Sequence, residues 1–224
     1  LSLHHYERQE GYADGPAKLG ALYDRYADMI VACPNPNIKL FISEWNLQSI
    51  DWRTGLFAGG FLNECEKRDV VAMGAAALFI RRTDSPDWNN AFINFDYKDV
   101  FVAPNYQVTK LWYDNFSKYL IDCKGDTGEL NIVSTLSEDG SKVILKLVNP
   151  TGSAYELSVN GDWKSSTPAA YEYYAPGDLL VANSMENKQA VSLQKTEITC
   201  REGSLTIKVP ALSAGVVTIP RFNK

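Results

Sequence analysis

Histidine, cysteine and long apolar runs are scarce in this sequence of 224 residues. Its two histidines, His4 and His5, are adjacent, and its four cysteines are widely spaced. These spacings fit neither a zinc site nor a disulfide-rich framework. No apolar run approaches the ~20 residues that a membrane-spanning helix needs. We therefore expect no metal site and no membrane contact.

A surplus of positive charge and the usual phosphate-binding motifs are also missing. The 22 Lys and Arg residues are outnumbered by 27 Asp and Glu residues, which leaves a net charge of −5. Proteins that bind a phosphate backbone instead cluster Lys and Arg. The sequence also lacks a glycine-rich phosphate loop and a nucleophile elbow. We therefore expect neither a nucleic-acid partner nor a cofactor.

What the sequence does contain, up to about residue 117, is an alternation of strand-like and helix-like segments. The predicted strands are residues 1–6, 39–43 and part of 70–80, and the predicted helices are 16–32, 53–67 and 106–116. Such alternation indicates parallel strands joined by right-handed crossovers. The run 70–80 is expected to hold a helix end and then a buried strand. Three strands make a poor sheet alone, and no initial Met or signal peptide is present, so we expect the chain to begin inside a domain.

Beyond residue 118 the pattern changes to short strand-like runs separated by turn signals such as Glu138-Asp139-Gly140. The predicted strands are residues 130–134, 142–148, 155–159, 197–199, 205–209 and 215–219. Short strands with regular turns and no helices indicate an antiparallel β-sandwich. The sequence therefore predicts an α/β domain over residues 1–117 and an all-β domain over residues 118–224.

A candidate catalytic carboxylate follows the second predicted strand. The apolar run that ends at Ser43 leads directly into Glu44, Trp45 and Asn46. In barrels of alternating strands and helices, the working residues lie where the strands end. An ordinary strand leaving the core would give the same pattern, so the other strand ends decide how it is interpreted.

Those strand ends offer a carboxylate, a phenol, an imidazole and several aromatic rings. The side chains in question are His4, Tyr6, Glu44, Trp45, Asn46, Arg81, Arg82, Asp84, Trp88 and Asn89. The C–H face of a sugar stacks on aromatic rings, and its hydroxyls need paired donors and acceptors, so this set suits a carbohydrate. The two arginines are open to a structural interpretation as well, in which they pair with Asp84 or Asp87.

Several motifs resemble glycoside hydrolase family 51, the α-L-arabinofuranosidases. The most specific are Ser43-Glu44-Trp45-Asn46 and the downstream Asp51-Trp52-Arg53-Thr54-Gly55-Leu56. Shorter similarities lie at residues 2–6, 61–64, 102–108, 182–187 and 203–207. The resemblance implies a (β/α)8 TIM barrel, of which residues 1–117 would be the C-terminal part with strands six to eight. It also implies a jelly-roll-like antiparallel sandwich over residues 118–224.

The resemblance also implies roles for individual residues. Glu44 would be the nucleophile of a retaining double displacement that removes α-L-arabinofuranosyl residues from plant polysaccharides such as arabinan and arabinoxylan. Tyr6 matches the family tyrosine that hydrogen-bonds the nucleophile, and His4 matches a pocket histidine. Trp45, Asn46 and Trp88 are further candidates for substrate binding, although Trp45 also fits a packing role.

This chain departs from the family pattern at two positions, and it lacks one group that the mechanism needs. Members often have Asp where this chain has Ser43, and many have an aromatic residue where it has Gln48, which alters the pocket wall. A retaining glycosidase needs a second carboxyl ~5–5.5 Å from the first. In related barrels that acid/base follows an Asn and precedes the nucleophile, whereas Asn63-Glu64 follows Glu44 and lies on a predicted helix. We interpret Asn63-Glu64 as structural and expect the acid/base upstream of Leu1.

Other functions and partners stay open at this point. A related barrel glycosidase acting on xylan or β-glucan backbones would use the same chemistry, and a non-catalytic carbohydrate-binding fragment would rely on the sandwich alone. The expected partners are an arabinose-containing oligo- or polysaccharide, the upstream part of the same enzyme and, as a possibility, a second copy of the chain. The sequence assigns no cellular compartment.

Overall fold

The first part of the chain forms a parallel sheet covered by helices. A computed structural model describes residues 1–86, 88–163, 168–201 and 203–221. Its first elements are β1 (Ser2–Arg8), a 3₁₀ turn (Gln9–Tyr12), α1 (Gly15–Val31), β2 (Leu40–Gln48), α2 (Trp52–Glu66) and β3 (Val71–Ala76). The strands pair in the order β1-β2-β3, and both pairings are parallel. The alternation predicted from the sequence is therefore confirmed for this part of the chain.

Helix α2 is the element around which both parts of the molecule pack. Asp51 caps its first turn by accepting a hydrogen bond from the backbone N–H of Arg53. One side of the helix buries Phe57 and Phe61 against the parallel sheet. The opposite side buries Leu56 in a second cluster with residues from the end of the chain. A helix buried on two sides is expected to be apolar over most of its surface, and α2 is.

A small sheet and a third helix follow β3. Strand β4 (Ile80–Arg82) pairs with β5 (Ile93–Phe95) in parallel, and β5 pairs with β6 (Val100–Val102) in antiparallel orientation. Helix α3 (Pro104–Asp114) begins with a proline, which suits a first turn that needs no backbone N–H donor. The sequence pattern did not predict the small sheet, because its strands are only three residues long.

The remaining strands build an antiparallel sandwich. They are β7 (Tyr119–Leu120), β8 (Asn131–Leu136), β9 (Lys142–Asn149), β10 (Tyr155–Asn160), β11 (Ala169–Tyr174), β12 (Gln194–Ile198), β13 (Ser204–Val209) and β14 (Ser213–Pro220). One sheet has the order β12-β11-β14-β9-β8-β7, and the other pairs β10 with β13. Their facing side chains enclose a core that includes Leu145, Leu147, Tyr171, Leu205 and Ile207. This confirms the predicted all-β part.

The sequence predictions for residues 70–80 and for the end of β2 are wrong, and strand β11 was not predicted. Residues 70–80 contain no helix end, since β3 begins at Val71, and its residues Ala72 to Gly74 are exposed where a buried strand was expected. Strand β2 continues to Gln48, so Glu44 lies within the strand and not after it. Strand β11 was missed because Ala169-Ala170 and Tyr173-Tyr174 interrupt any apolar–polar alternation.

A hydrophobic cluster joins the two parts. Trp52 of α2 and Trp112 of α3 lie in one cluster with Ile144 of β9 and Val216 of β14. The indole N–H of Trp52 donates to the carbonyl oxygen of Leu212 at 2.6 Å, so the contact is directional as well as apolar. In the part of the chain that the structure describes, no helix is long and apolar enough to cross a membrane.

Candidate active site

Glu44 meets two side chains of the neighbouring strand. The Tyr6 hydroxyl donates a hydrogen bond to Glu44 Oε2 at 2.6 Å. His4 Nδ1 lies 3.3 Å from the same oxygen. The pairing register explains this meeting, because His4 lies opposite Glu44 and Tyr6 lies two residues further along β1, on the same face. The structure therefore brings together three of the residues that the sequence singled out, and their role in a reaction stays a prediction.

A β-bulge at Ser43 turns Glu44 toward this face. Leu3 pairs with Ile42 and His4 pairs with Glu44, so Ser43 has no partner in the register between β1 and β2. Without the extra residue, Glu44 would share a face with Leu40 and Ile42, which are fully buried. An extra residue reverses the alternation, and bulges re-aim side chains in this way. Beyond the bulge Trp45, Asn46 and Leu47 are buried, and Glu44 is partly exposed.

Ser43 itself holds the bulge in place. Its Oγ lies 2.5 Å from Oγ of Ser2, and it also donates to the carbonyl oxygen of Leu3 at 3.3 Å. One of the two positions at which this chain departs from the family pattern is therefore the bulge residue that precedes the nucleophile candidate. A short hydroxyl side chain bonds across to β1 there.

Tyr6 is held as a hydrogen-bond donor. Burial, the hydrogen bond to Glu44 and the negative charge of that carboxylate raise the pKa of Tyr6 to about 12. The phenol is therefore protonated throughout the neutral and mildly alkaline range. The Glu44 side chain is 41% exposed, so the carboxylate that Tyr6 orients is open to a ligand.

An open cleft of about 770 Å³ surrounds Glu44 and Tyr6. Its other walls come from Trp88 and from the segment around the small sheet: Ala77, Leu78, Ile80, Arg81, Arg82, Ser85, Pro86 and Phe95. The ring of Trp88 stands edge-on to the ring of Tyr6, with 5.1 Å between the ring centroids, and Trp88 is 55% exposed. An exposed indole beside an oriented carboxylate offers a stacking surface for a sugar.

The two arginines of the cleft have protein partners. Arg81 Nη2 donates to the carbonyl oxygen of Ser85 at 2.5 Å, and Arg82 pairs with Asp84. The guanidinium of Arg82 also lies 5.3 Å from the ring centroid of Tyr97. The predicted pairing with Asp84 is thus confirmed for Arg82, while Asp87 lies outside the described residues. Phe95 was missed as a cleft residue because it belongs to the small sheet.

Trp45 and Asn46 lie in the core instead of the cleft. Trp45 is 1% exposed and stacks on Phe61 at a centroid distance of 4.4 Å. Asn46 is also 1% exposed, and its Nδ2 donates to the carbonyl oxygen of Asn90 at 2.7 Å. Its Oδ1 accepts from Asn105 Nδ2 at 3.2 Å. The expectation that both side chains contact substrate is therefore corrected: they support the strand that carries Glu44.

Asn63 and Glu64 lie at the junction between the two parts of the chain. Asn63 Oδ1 accepts a hydrogen bond from the indole N–H of Trp112 at 2.8 Å. Glu64 is 6% exposed and pairs with Lys67 and Arg68. Burial alone would raise the pKa of Glu64, but these two cations outweigh it and hold the pKa below its usual value. A paired, buried carboxylate facing the sandwich fits the structural interpretation of this motif.

No group of His, Cys, Asp and Glu side chains suited to a metal ion occurs among the residues described by the structure. The cleft offers a carboxylate, a phenol and aromatic groups, and the imidazole of His4 lies beside the carboxylate. These are the groups that an acid–base or nucleophilic reaction at a sugar uses.

The family model for the α-L-arabinofuranosidase C-terminal domain matches residues 42–213. The chain belongs to this family. It also matches an extracellular exo-α-L-arabinofuranosidase of Streptomyces chartreusis, with 27% identity over 90 residues, which are 40% of this chain and 11% of that protein. The resemblance to the α-L-arabinofuranosidases is confirmed.

Solved structures of arabinofuranosidases share the fold of this family member. The family 51 enzyme of Thermotoga petrophila gives a TM-score of 0.83 at 18% identity, covering 97% of this chain and 52% of that one. An arabinose complex of the enzyme from Thermotoga maritima gives 0.82 at 17% identity, covering 98% and 52%. The chain therefore spans about half the length of these structures. At such identities the likeness shows the fold alone, and it confirms the predicted fold class.

A xylanase of family 30 is a more distant structural relative of the arabinofuranosidase-like chain. Xylanase C of Talaromyces cellulolyticus gives a TM-score of 0.60 at 13% identity, covering 82% of this chain and 41% of that one. The shared architecture thus extends beyond enzymes described as arabinofuranosidases. Fold likeness by itself does not assign the substrate.

Proposed function

We propose that this chain carries the nucleophile of a retaining α-L-arabinofuranosidase and that Glu44 is that nucleophile. The observation that supports it is the hydrogen bond of 2.6 Å from Tyr6 to Glu44 in an open cleft. A hydroxyl that donates to one carboxylate oxygen restricts how the carboxylate can rotate. Orientation of this kind lowers the entropy that has to be lost before attack.

The contacts of Glu44 distinguish its two oxygens. Tyr6 and His4 both approach Oε2, and none of the described hydrogen bonds uses Oε1. Oε1 is therefore the oxygen placed to attack the anomeric carbon of an arabinofuranosyl group. The C–O bond to the leaving group breaks as the bond to Oε1 forms, and a water molecule later hydrolyses the glycosyl-enzyme. Trp88 would support the sugar from the side of the cleft.

The general acid/base comes from elsewhere in the protein under this proposal. Glu44 is the only carboxylate among the described residues that line the cleft. A retaining mechanism needs a partner carboxyl about 5–5.5 Å away, which protonates the leaving oxygen and then deprotonates the water. The substrate class is α-L-arabinofuranosyl side groups of plant polysaccharides such as arabinan or arabinoxylan. The partner of this chain would be the rest of the same enzyme.

A substitution of Glu44 in the complete protein tests the proposal. Glu44→Gln keeps the size of the side chain and removes the nucleophile, so kcat for an aryl α-L-arabinofuranoside should fall by about 10⁴-fold or more. Glu64→Gln is the matched control, because the same chemical change at a buried ion pair affects stability and leaves the chemistry in place. Turnover by Glu44→Gln within tenfold of the wild type would overturn the assignment.

The fold shared with the family 30 xylanases leaves the xylan backbone as a second candidate substrate, and fold likeness alone does not decide between the two. A panel of aryl glycosides separates the two candidates. Release from the arabinofuranoside alone supports the first. Release from the β-xyloside with none from the arabinofuranoside would replace the arabinofuranoside by xylan as the proposed substrate. Glu44 would remain the proposed nucleophile.

A further inference from the structure

Three buried asparagines connect β2 to the loop that carries Trp88. Asn46, Asn90 and Asn105 are 1%, 4% and 1% exposed, and we call them the asparagine network. Asn46 Nδ2 donates to the backbone oxygen of Asn90 at 2.7 Å, and Asn90 Nδ2 donates to the backbone oxygen of Leu47 at 3.0 Å. The two bonds run in opposite directions between the same two segments, so they hold the loop both along β2 and at a set distance from it.

Asn105 extends the asparagine network to the start of α3. Its Nδ2 donates to Asn46 Oδ1 at 3.2 Å, and the same oxygen accepts from the backbone N–H of Leu47 at 2.9 Å. The Oδ1 of Asn105 accepts from the backbone N–H of Tyr106 at 2.9 Å. A buried amide that uses its donor and its acceptor is held in one orientation, because rotation would leave polar atoms unpaired. Asn46 is therefore a fixed point to which the loop and the helix are both attached.

The loop that carries Trp88 depends on such contacts for its shape. It connects β4 to β5, and its described residues between 83 and 92 form no helix or strand. At its far end the backbone N–H of Phe92 donates to the carbonyl oxygen of Leu78 at 3.0 Å. Asn90 lies between that bond and Trp88, only two residues after the tryptophan. The bonds made by Asn90 therefore restrict how far Trp88 can move.

The asparagine network and the cleft form one closed circuit of contacts. Asn46 lies two residues after Glu44 on the same face of β2, and it is opposite Tyr6 in the register with β1. Tyr6 donates to Glu44, and its ring stands edge-on to Trp88. Trp88 is joined through the chain to Asn90, which bonds back to Asn46. Loss of a bond in the network would therefore change where the indole stands relative to the carboxylate.

We propose that Asn46, Asn90 and Asn105 are positioning residues that hold Trp88 at the distance from Glu44 at which its ring supports a bound sugar. All three are buried, so they act on the reaction through Trp88 and not by touching the substrate. A sugar held in the geometry of attack reacts faster because less freedom has to be lost. This inference rests on the proposed function and adds to it a set of residues behind the cleft.

Fluorine NMR of the complete protein labelled with 5-fluorotryptophan tests the position of Trp88 directly. Its resonance is the one that Trp88→Phe removes. Asn90→Ala should shift or broaden this resonance, because the loop loses its bond to Leu47. Asn149→Ala is the matched control, since Asn149 is a fully buried asparagine of β9 that donates to two backbone oxygens in the sandwich, and it should leave the resonance in place. An unchanged Trp88 resonance in Asn90→Ala overturns the inference.

A double-mutant cycle with an aryl α-L-arabinofuranoside separates positioning from a general loss of stability. Asn90→Ala should raise KM about fivefold and change kcat by less than about twofold, because a stacking contact is made in the bound substrate and the transition state alike. In a Trp88→Ala background the same substitution should raise KM no further. A second fivefold increase in that background would show that Asn90 acts independently of Trp88, and it would overturn the inference.

Asn105→Ser is a second variant, which leaves the loop residues themselves unchanged. Its shorter side chain loses the bond to Asn46 Oδ1, so it should give the same two effects at smaller size. A fluorine spectrum and a KM equal to those of the wild type would contradict the role of Asn105. A wild-type enzyme that fails on every arabinofuranosyl substrate overturns the proposed function instead, and the fluorine spectrum still decides whether the network positions Trp88.

Discussion

The two parts of the molecule bury their strands differently. In the sandwich, β9 and β14 have neighbours on both sides and are buried over most of their length. In the parallel sheet only β2 is flanked on both sides, and β1 and β3 keep exposed residues. The side chains with unusual chemistry, Glu44, Tyr6 and His4, all lie on the less buried sheet. The Glu44 side chain is 41% exposed, so the candidate group lies on the more accessible of the two sheets.

The difference does not make the two parts independent. Helices α2 and α3 share a hydrophobic cluster with β9 and β14, and Trp112 lies inside it at 1% exposure. A mutation in this shared cluster is expected to destabilise both parts together. The following predictions test the comparison, from the largest expected effect to the smallest.

Trp112→Ala should have the largest effect on stability. Removal of a fully buried indole costs about 3–5 kcal/mol of unfolding free energy, and Asn63 Oδ1 loses its donor as well. Denaturant unfolding followed by circular dichroism should show one transition, shifted to lower denaturant. Trp88→Ala, at an exposed tryptophan, should stay within about 0.5 kcal/mol. Two separate transitions in the wild type would break the view that the parts share a core.

Tyr6→Phe should act on the reaction and hardly on the fold. It removes one hydroxyl that donates to a carboxylate, an interaction of about 1.5–3 kcal/mol, so kcat in the complete enzyme should fall about 10–100-fold. The melting temperature should change by only a few degrees. Tyr113→Phe, at a tyrosine of α3 that is 80% exposed, is the control and should keep full activity. Unchanged kcat in Tyr6→Phe would show that the hydrogen bond does not contribute to the reaction.

Glu64→Gln should make the folding stability of the protein less dependent on pH in the acidic range. The pKa of Glu64 is below its usual value, so the ion pairs with Arg68 and Lys67 stabilise the fold above the unfolded-state pKa. This stability is lost as the pH falls through the folded-state pKa. At pH 7 we expect the variant to be less stable by about 1.5–3 kcal/mol.

Unfolding measurements across pH give the decisive comparison for this ion pair. The stability difference between wild type and Glu64→Gln should be constant between about pH 6 and 8 and shrink below about pH 4.3. Glu138→Gln, at an exposed turn residue, is the control and should show no such difference. A stability difference between wild type and Glu64→Gln that persists in acid would mean that the size or packing of the side chain, and not its charge, stabilises this position.

Gly140→Ala should have the smallest effect, confined to the hairpin between β8 and β9. Gly140 has φ +71° with open space around it, so an added Cβ meets no atoms and the backbone conformation alone opposes it. The expected cost is about 1 kcal/mol. Gly152 also has open space but no positive φ, so Gly152→Ala should be neutral or slightly stabilising. Thermal unfolding of the two variants side by side measures the difference.

Sequence patterns predicted the elements whose signals are local. Helix α2 was expected at 53–67 and occurs at Trp52–Glu66, because its apolar spacing and its Asp51 cap lie within the segment itself. The sandwich strands β8, β9, β13 and β14 were found in the same way. Strand β11 was not, because its place between β12 and β14 depends on partners far away in the chain. The domain boundary near residue 118 stays a prediction.

The sequence by itself determined the three helices, the three parallel strands and most of the sandwich strands, and it provided the candidates Glu44, Tyr6 and His4. Only the tertiary structure decided which way those side chains face. Strict alternation along β2 would place Glu44 with Leu40 and Ile42 in the core, and the bulge at Ser43 reverses that. The same reversal buries Trp45 and leaves Gln48 exposed beside Trp88. A bulge depends on pairing with β1, a strand more than thirty residues away, so no local pattern in β2 reveals it.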